Sequence, residues 1–165
     1  MNAGLLVGRV VLGTLMAAHG AQKLFGWFGG YGIAGTGAFF EQLGFRPGRP
    51  FAAAAGASEL AGGLLLALGL FGPVGPALIV SVMIVAAVSV HLRNGVLASS
   101  NGVELPLLYA TGALALAFTG FGGYSLDAVL GLSSLWTPAI AELVVLLGII
   151  GGAANLAMRR TPVAA

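Results

Sequence analysis

Residues 51–92 read FAAAAGASELAGGLLLALGLFGPVGPALIVSVMIVAAVSVHL, two apolar runs (51–71 and 74–92) joined at Gly72-Pro73-Val74-Gly75-Pro76. Each run is close to the ~20 residues that carry an α-helix across the hydrocarbon core of a bilayer. A joint this short and this rich in glycine and proline turns the chain straight back. The stretch therefore predicts a hairpin of two transmembrane helices. Inside the first of them stands Glu59, whose charge would cost on the order of 2.5–3.5 kcal/mol at mid-membrane. A chain keeps such a group when it pairs or works.

The pattern continues on both sides, with further apolar segments at 3–22, 104–121 and 138–157. The predicted fold is an all-α membrane protein. A four-helix transmembrane bundle core occupies residues 1–127, and residues 128–165 supply an outer loop, a fifth transmembrane helix and a short cytoplasmic tail. Composition agrees, since 58% of the 165 residues are hydrophobic and 7% charged, against roughly 25% charged in soluble domains. The net charge of +2 comes from seven basic and five acidic residues, too scattered for a nucleic-acid surface. The chain has no cysteine, which excludes disulfides, thiolate metal sites and thiol catalysis within it. Arg9 interrupts the first apolar run and no basic run precedes it, so a retained helix is expected rather than a cleaved signal peptide.

With five crossings, Lys23, Arg46, Arg49, Arg93, Arg159 and Arg160 fall on one side of the membrane. The positive-inside rule then predicts an outside N-terminus and a cytoplasmic C-terminus, in a bacterial-type inner membrane. Ser125 and Thr161 are expected on opposite faces. Eight of the fourteen aromatic residues crowd into positions 25–51. Thr36 is expected to cap a short interfacial helix running to Gln42 and ended by Gly44, with Glu41 facing water. Such a segment is either an interfacial anchor or a lid over a lipid-soluble ligand. Gly4 with Gly8, Gly56 with Gly63, and Gly148 with Gly152 have close-packing spacings.

The run His19-Gly20-Ala21-Gln22-Lys23-Leu24-Phe25-Gly26, followed by Thr36-Gly37-Ala38-Phe39-Phe40-Glu41 and Leu43-Gly44, resembles the first-helix and loop signature of the DoxX family of small membrane proteins. Glu59-Leu60-Ala61-Gly62-Gly63 with Leu68-Gly69-Leu70 resembles its second-helix motif, Glu104 with Tyr109 its fourth, and Gly123-Tyr124-Ser125-Leu126-Asp127 its closing motif. The resemblance covers roughly residues 5–127 in order. It implies a four-helix core and, by analogy with members assigned to thiosulfate:quinone oxidoreduction, a membrane redox role. The fifth segment departs from the pattern and is expected to offer a partner-binding surface.

His19 and Lys23 are four residues apart and share a helical face. On the five-helix scheme they approach Glu59, His91 and Glu104 at the basic end of the bundle. Glu59, His19 and Lys23 are the candidate catalytic groups of a proton relay, and His91, Glu104 and Trp27 are candidates for holding a quinone. A quinone needs donors at its carbonyls and a proton route, which these side chains supply. The competing reading makes Glu59–Lys23 and Glu104–Arg93 purely structural ion pairs, with the histidines capping helix ends. A haem held by His19 and His91 is the weaker cofactor option, as no attachment motif accompanies them; no metal site is expected. Arg9 and Glu142, at similar depth near the opposite end, are expected to form a structural ion pair, and Tyr124 and Asp127 a turn and cap. Two functions follow. One is a membrane subunit of a respiratory or redox complex that passes electrons to quinone. The other is a non-catalytic anchor or assembly subunit, docking partner subunits or a second copy. A small transporter ranks third, for want of a convincing internal repeat.

Overall fold

The computed structural model describes residues 1–160; Thr161 and the rest of the tail lie outside the described residues. Five long helices dominate: α1 (Asn2–Phe25), α3 (Gly48–Leu68), α4 (Val74–Ala86), α5 (Glu104–Thr119) and α7 (Pro138–Ala157). Two short ones, α2 (Gly32–Gln42) and α6 (Leu126–Val129), lie in the connections. No strand occurs among the described residues. α1, α3, α7 and the continuous stretch Val74–Asn94 are long and apolar enough to cross a membrane. α5 has 16 residues, about 24 Å at 1.5 Å per residue and so short of the ~30 Å core.

The predicted hairpin is present. α3 ends at Gly69 in the left-handed region (φ 66°), where glycine carries no Cβ penalty, and α4 begins five residues later at Val74. A core of Met16, Leu66, Ile79, Val80, Met83, Ala113 and Leu116 ties α1, α3, α4 and α5 into one bundle. α1 and α3 cross in close contact because glycines face backbone on both sides: a Cβ at Gly63 would meet Ala17 and Gly13, and one at Gly20 would meet Leu60 and Gly56. α7 packs on the outside of this core, with Gly148 against Ala77 and Gly152 against Ser81. Gly4 and Gly8, by contrast, face open space.

The first connection departs from expectation at one point. α2 starts at Gly32, so Thr36 is a buried mid-helix residue and not a cap. The left-handed glycines Gly26, Gly29 and Gly32 reverse the chain at once and let the helix begin a turn earlier. Its end agrees with expectation: the chain leaves at Leu43 and Gly44, the latter at φ 98°.

At the far end, Asp127 does more than cap a turn. Its buried carboxylate accepts the amides of Phe71 (2.9 Å) and Gly72 (2.7 Å), pinning the α3–α4 joint to the segment after α5. The cap of α6 is Ser125, whose hydroxyl accepts the Ala128 amide.

Candidate functional site

The last turns of α1 place His19 and Lys23 against α3. Gly56 makes room for the lysine stem, since a Cβ there would lie 3.1 Å from Lys23 Cβ. Lys23 Nζ then donates to Glu59 Oε2 at 2.6 Å. The carboxylate side chain is only 3% exposed and the lysine 26%, a geometry in which the long stem reaches a buried acid while its head keeps some access to water. It is the one ion pair among the described residues.

Opposite this pair, α4 changes its winding. Residues Ala87–His91 form a wide π-type turn, a local insertion that re-aims side chains and is frequent at functional sites. Ser89 and His91 are thereby brought to the cavity that also holds Lys23 and Glu59. This cleft of about 240 Å³ has Ser58 and Ser81 on its flanks and Phe40, Phe45 and Phe51 in its wall. The rings run in sequence, Phe40 to Phe45 at 5.8 Å and Phe45 to Phe51 at 5.3 Å between centroids. Ser89 Oγ is buried and finds no hydrogen-bond partner among the described residues, a deficit that a ligand oxygen would relieve.

A smaller cleft of about 180 Å³ lies on the other side of the ion pair, lined by His19, Lys23, Glu59, His91 and Tyr109. The His19 ring stands edge-on to Tyr109 at 5.8 Å. Gln22 Nε2 donates to Phe28 O, which turns Gln22 Oε1 towards His19 Nδ1 at 3.0 Å; Nδ1 is therefore the protonated nitrogen and Nε2 is free. His91 Nδ1 lies 2.8 Å from the Asn101 carbonyl, so it also donates from Nδ1, which leaves Nε2 as the acceptor nitrogen. Lys23 borders a third space as well, an open groove of about 620 Å³ under α2 that includes Gln22, Tyr31, Phe39 and Phe40.

Four of the sequence-predicted residues, His19, Lys23, Glu59 and His91, thus come together. Two do not. Glu104 turns back over its own loop, where Oε2 accepts the Ala98 amide at 2.7 Å, and it forms no ion pair with Arg93. Trp27 is 59% exposed, stacks on Phe25 at 5.0 Å and lines neither cleft. The aromatic segment divides accordingly: Phe25, Trp27, Phe28 and Tyr31 are exposed, whereas Phe40, Phe45 and Phe51 wall the cleft. Ser58 and Ser89 were not apparent as site residues from sequence, and Tyr109 stood out only as part of a family-like motif. Ser81 and Ser89 are eight residues apart, two turns of one face in an otherwise apolar helix, and that spacing was the available signal.

The expected Arg9–Glu142 pair is absent. The buried Arg9 guanidinium donates to the carbonyls of Ala67 and Tyr124, while Glu142 is exposed on α7. The reason is topological. α7 packs on α4 while α1 packs on α3, and the C-terminal carbonyls of α3, the negative end of its dipole, take the arginine.

The fold and this buried polar cluster define a multi-pass α-helical membrane protein with a cleft at one end of its bundle. The DoxX family profile matches residues 4–92, from α1 to the end of the α4 stretch and more than half of the chain. The chain belongs to the DoxX family. No curated protein and no solved structure matches it.

Proposed function

We propose that the protein is a membrane subunit of an oxidoreductase and that the cleft between the Lys23–Glu59 pair and Ser89 receives a quinone headgroup. The observation that carries this reading is Ser89 Oγ, a buried and unpartnered hydroxyl in the same cleft as the Lys23–Glu59 pair. The volume suits a substituted six-membered ring, since a dry cavity of roughly 150 Å³ accommodates benzene. When bound, a quinone takes up two electrons and two protons at its carbonyl oxygens, the electrons coming from a redox group on a partner subunit. Lys23 and Ser89 donate hydrogen bonds at the polar end of the cleft. Glu59, paired with Lys23, relays protons to the ring, and His91, shared by both clefts, passes protons between cleft and loop. The aromatic wall excludes water from the ring. The six basic residues gathered at this end support a cytoplasmic location for it, in a bacterial-type inner membrane.

The anchor reading has its own support, since α7 presents Leu143, Leu146, Leu147 and Ile150 outward. Purification with retained lipids separates the two. Ala55 lines the cleft, and quinone that co-purifies with the chain but is lost from a folded, cleft-filling Ala55→Phe variant supports the quinone subunit. Stoichiometric partner proteins without quinone support the anchor.

A further inference from the structure

α7 ends where the α2–α3 turn begins. The Arg160 amide donates to Gly44 O at 2.9 Å, and Arg159 Nε donates to Leu43 O at 2.5 Å across 116 residues of sequence. The contact is built into the backbone, because Gly44 holds φ 98° and any Cβ there would collide with the Arg160 carbonyl. Beyond the buried Phe45, Arg46 is exposed. Arg49 follows in the first turn of α3, its backbone 3.1 Å from a Cβ position on Gly37 of α2. Four arginines from two distant segments therefore share one corner. Among the described residues none of them forms a salt bridge. The acid of this corner, Glu41, accepts the Gly48 amide at 3.0 Å, leaving four positive charges against one.

We infer that this corner binds the phosphate of an anionic phospholipid. Unpaired like charges held together by backbone contacts repel one another, and a bridging anion relieves that repulsion. The arginine fork matches phosphate in a bidentate manner. Depth points to a lipid rather than a dissolved ion, since exposed Phe25, Trp27, Phe28 and Tyr31 at the same end of the bundle mark the level of the headgroups. Clusters of four or more basic side chains at that level recognise anionic headgroups. The bound lipid would clamp the end of α7 to the α2–α3 turn. The inference is independent of what fills the cleft.

The test uses the full chain in nanodiscs of phosphatidylcholine alone, of phosphatidylcholine with phosphatidylglycerol, and of phosphatidylcholine with inorganic phosphate added. Retained lipid is read by native mass spectrometry and stability by thermal unfolding. Wild type should retain phosphatidylglycerol preferentially and unfold at a higher temperature in its presence. Arg46→Gln and Arg160→Gln should each lower retention roughly fivefold, and Arg93→Gln, a basic residue outside the corner, should not. Equal loss with Arg93→Gln would reduce the effect to general surface charge and overturn the site. Stabilisation by inorganic phosphate equal to that by the lipid would overturn the lipid assignment.

Discussion

Lys23 Nζ and Glu59 Oε2, 2.6 Å apart, stand where the ring-sized cleft and the smaller His19–Tyr109 cleft adjoin, and Lys23 also borders the groove under α2. The two partners are not equivalent, because the acid is the more deeply buried. Lys23→Met leaves a carboxylate uncompensated in the bundle, a change that costs ~3–5 kcal/mol for buried pairs. Glu59→Gln leaves an ammonium that can reach water along its own stem. Thermal unfolding in detergent should therefore show Lys23→Met clearly less stable than Glu59→Gln. Equal losses would mean that the pair is less asymmetric than its burial.

The same Glu59→Gln protein separates chemistry from structure. With shape retained, it should accumulate in membranes while quinone-linked turnover falls by roughly 10²–10⁴, the usual contribution of a positioned acid or base. Turnover at the wild-type rate by folded Glu59→Gln protein would remove Glu59 from the proton route.

At the opposite end, Arg9→Gln should destabilise the fold by about 1.5–3 kcal/mol for each charge-assisted bond to Ala67 and Tyr124 that is lost. Glu142→Gln, on an exposed face, should stay within about 0.5 kcal/mol of wild type. Exchanging the two charges, Arg9→Glu with Glu142→Arg, should restore nothing. Recovery of accumulation by the double variant would re-establish a direct pair.

Close packing of α1 on α3 gives a further contrast. Gly20→Ala and Gly63→Ala drive a methyl into facing backbone and should cost ~1–3 kcal/mol or more. Gly4→Ala and Gly8→Ala meet nothing within 4 Å and should unfold at the wild-type temperature. A loss at Gly4 or Gly8 matching that at Gly20 would point to a contact outside this chain.

Topology is open to cysteine labelling at exposed Ser99 and Ser134, since Ser125 is buried. An impermeant outside reagent should label Ser134→Cys and spare Ser99→Cys. The reverse pattern would invert the proposed orientation.

The helices were legible because hydropathy and length decide which segments cross a bilayer, and the Lys23–Glu59 approach followed from helix order and from the four-residue spacing of His19 and Lys23. The glycine seam was half legible: spacing marks a close-packing face, but Gly4 and Gly56 look alike until a partner helix is placed. What escaped depended on non-local or irregular backbone. The terminal nitrogens of Arg9 are held by carbonyls, which are present at every residue and so leave no trace in sequence. Glu104 caps its own loop, and Ser89 enters the cleft through a π-type turn that regular helical geometry does not foresee. The docking of Arg159 and Arg160 on Leu43 and Gly44 joins segments whose contact no local pattern encodes.

The proposed place of the quinone ring, between α2, α3 and the π-type turn after α4, is open to photo-crosslinking. The protein is illuminated in lipid with an azido-substituted quinone, digested, and the adducts are mapped by mass spectrometry. Adducts are expected within residues 39–59 and 81–91, suppressed by excess unmodified quinone and absent from folded Ala55→Phe protein. Competable adducts confined to the far end, around residues 116–141, or no competable adduct at all, would contradict it.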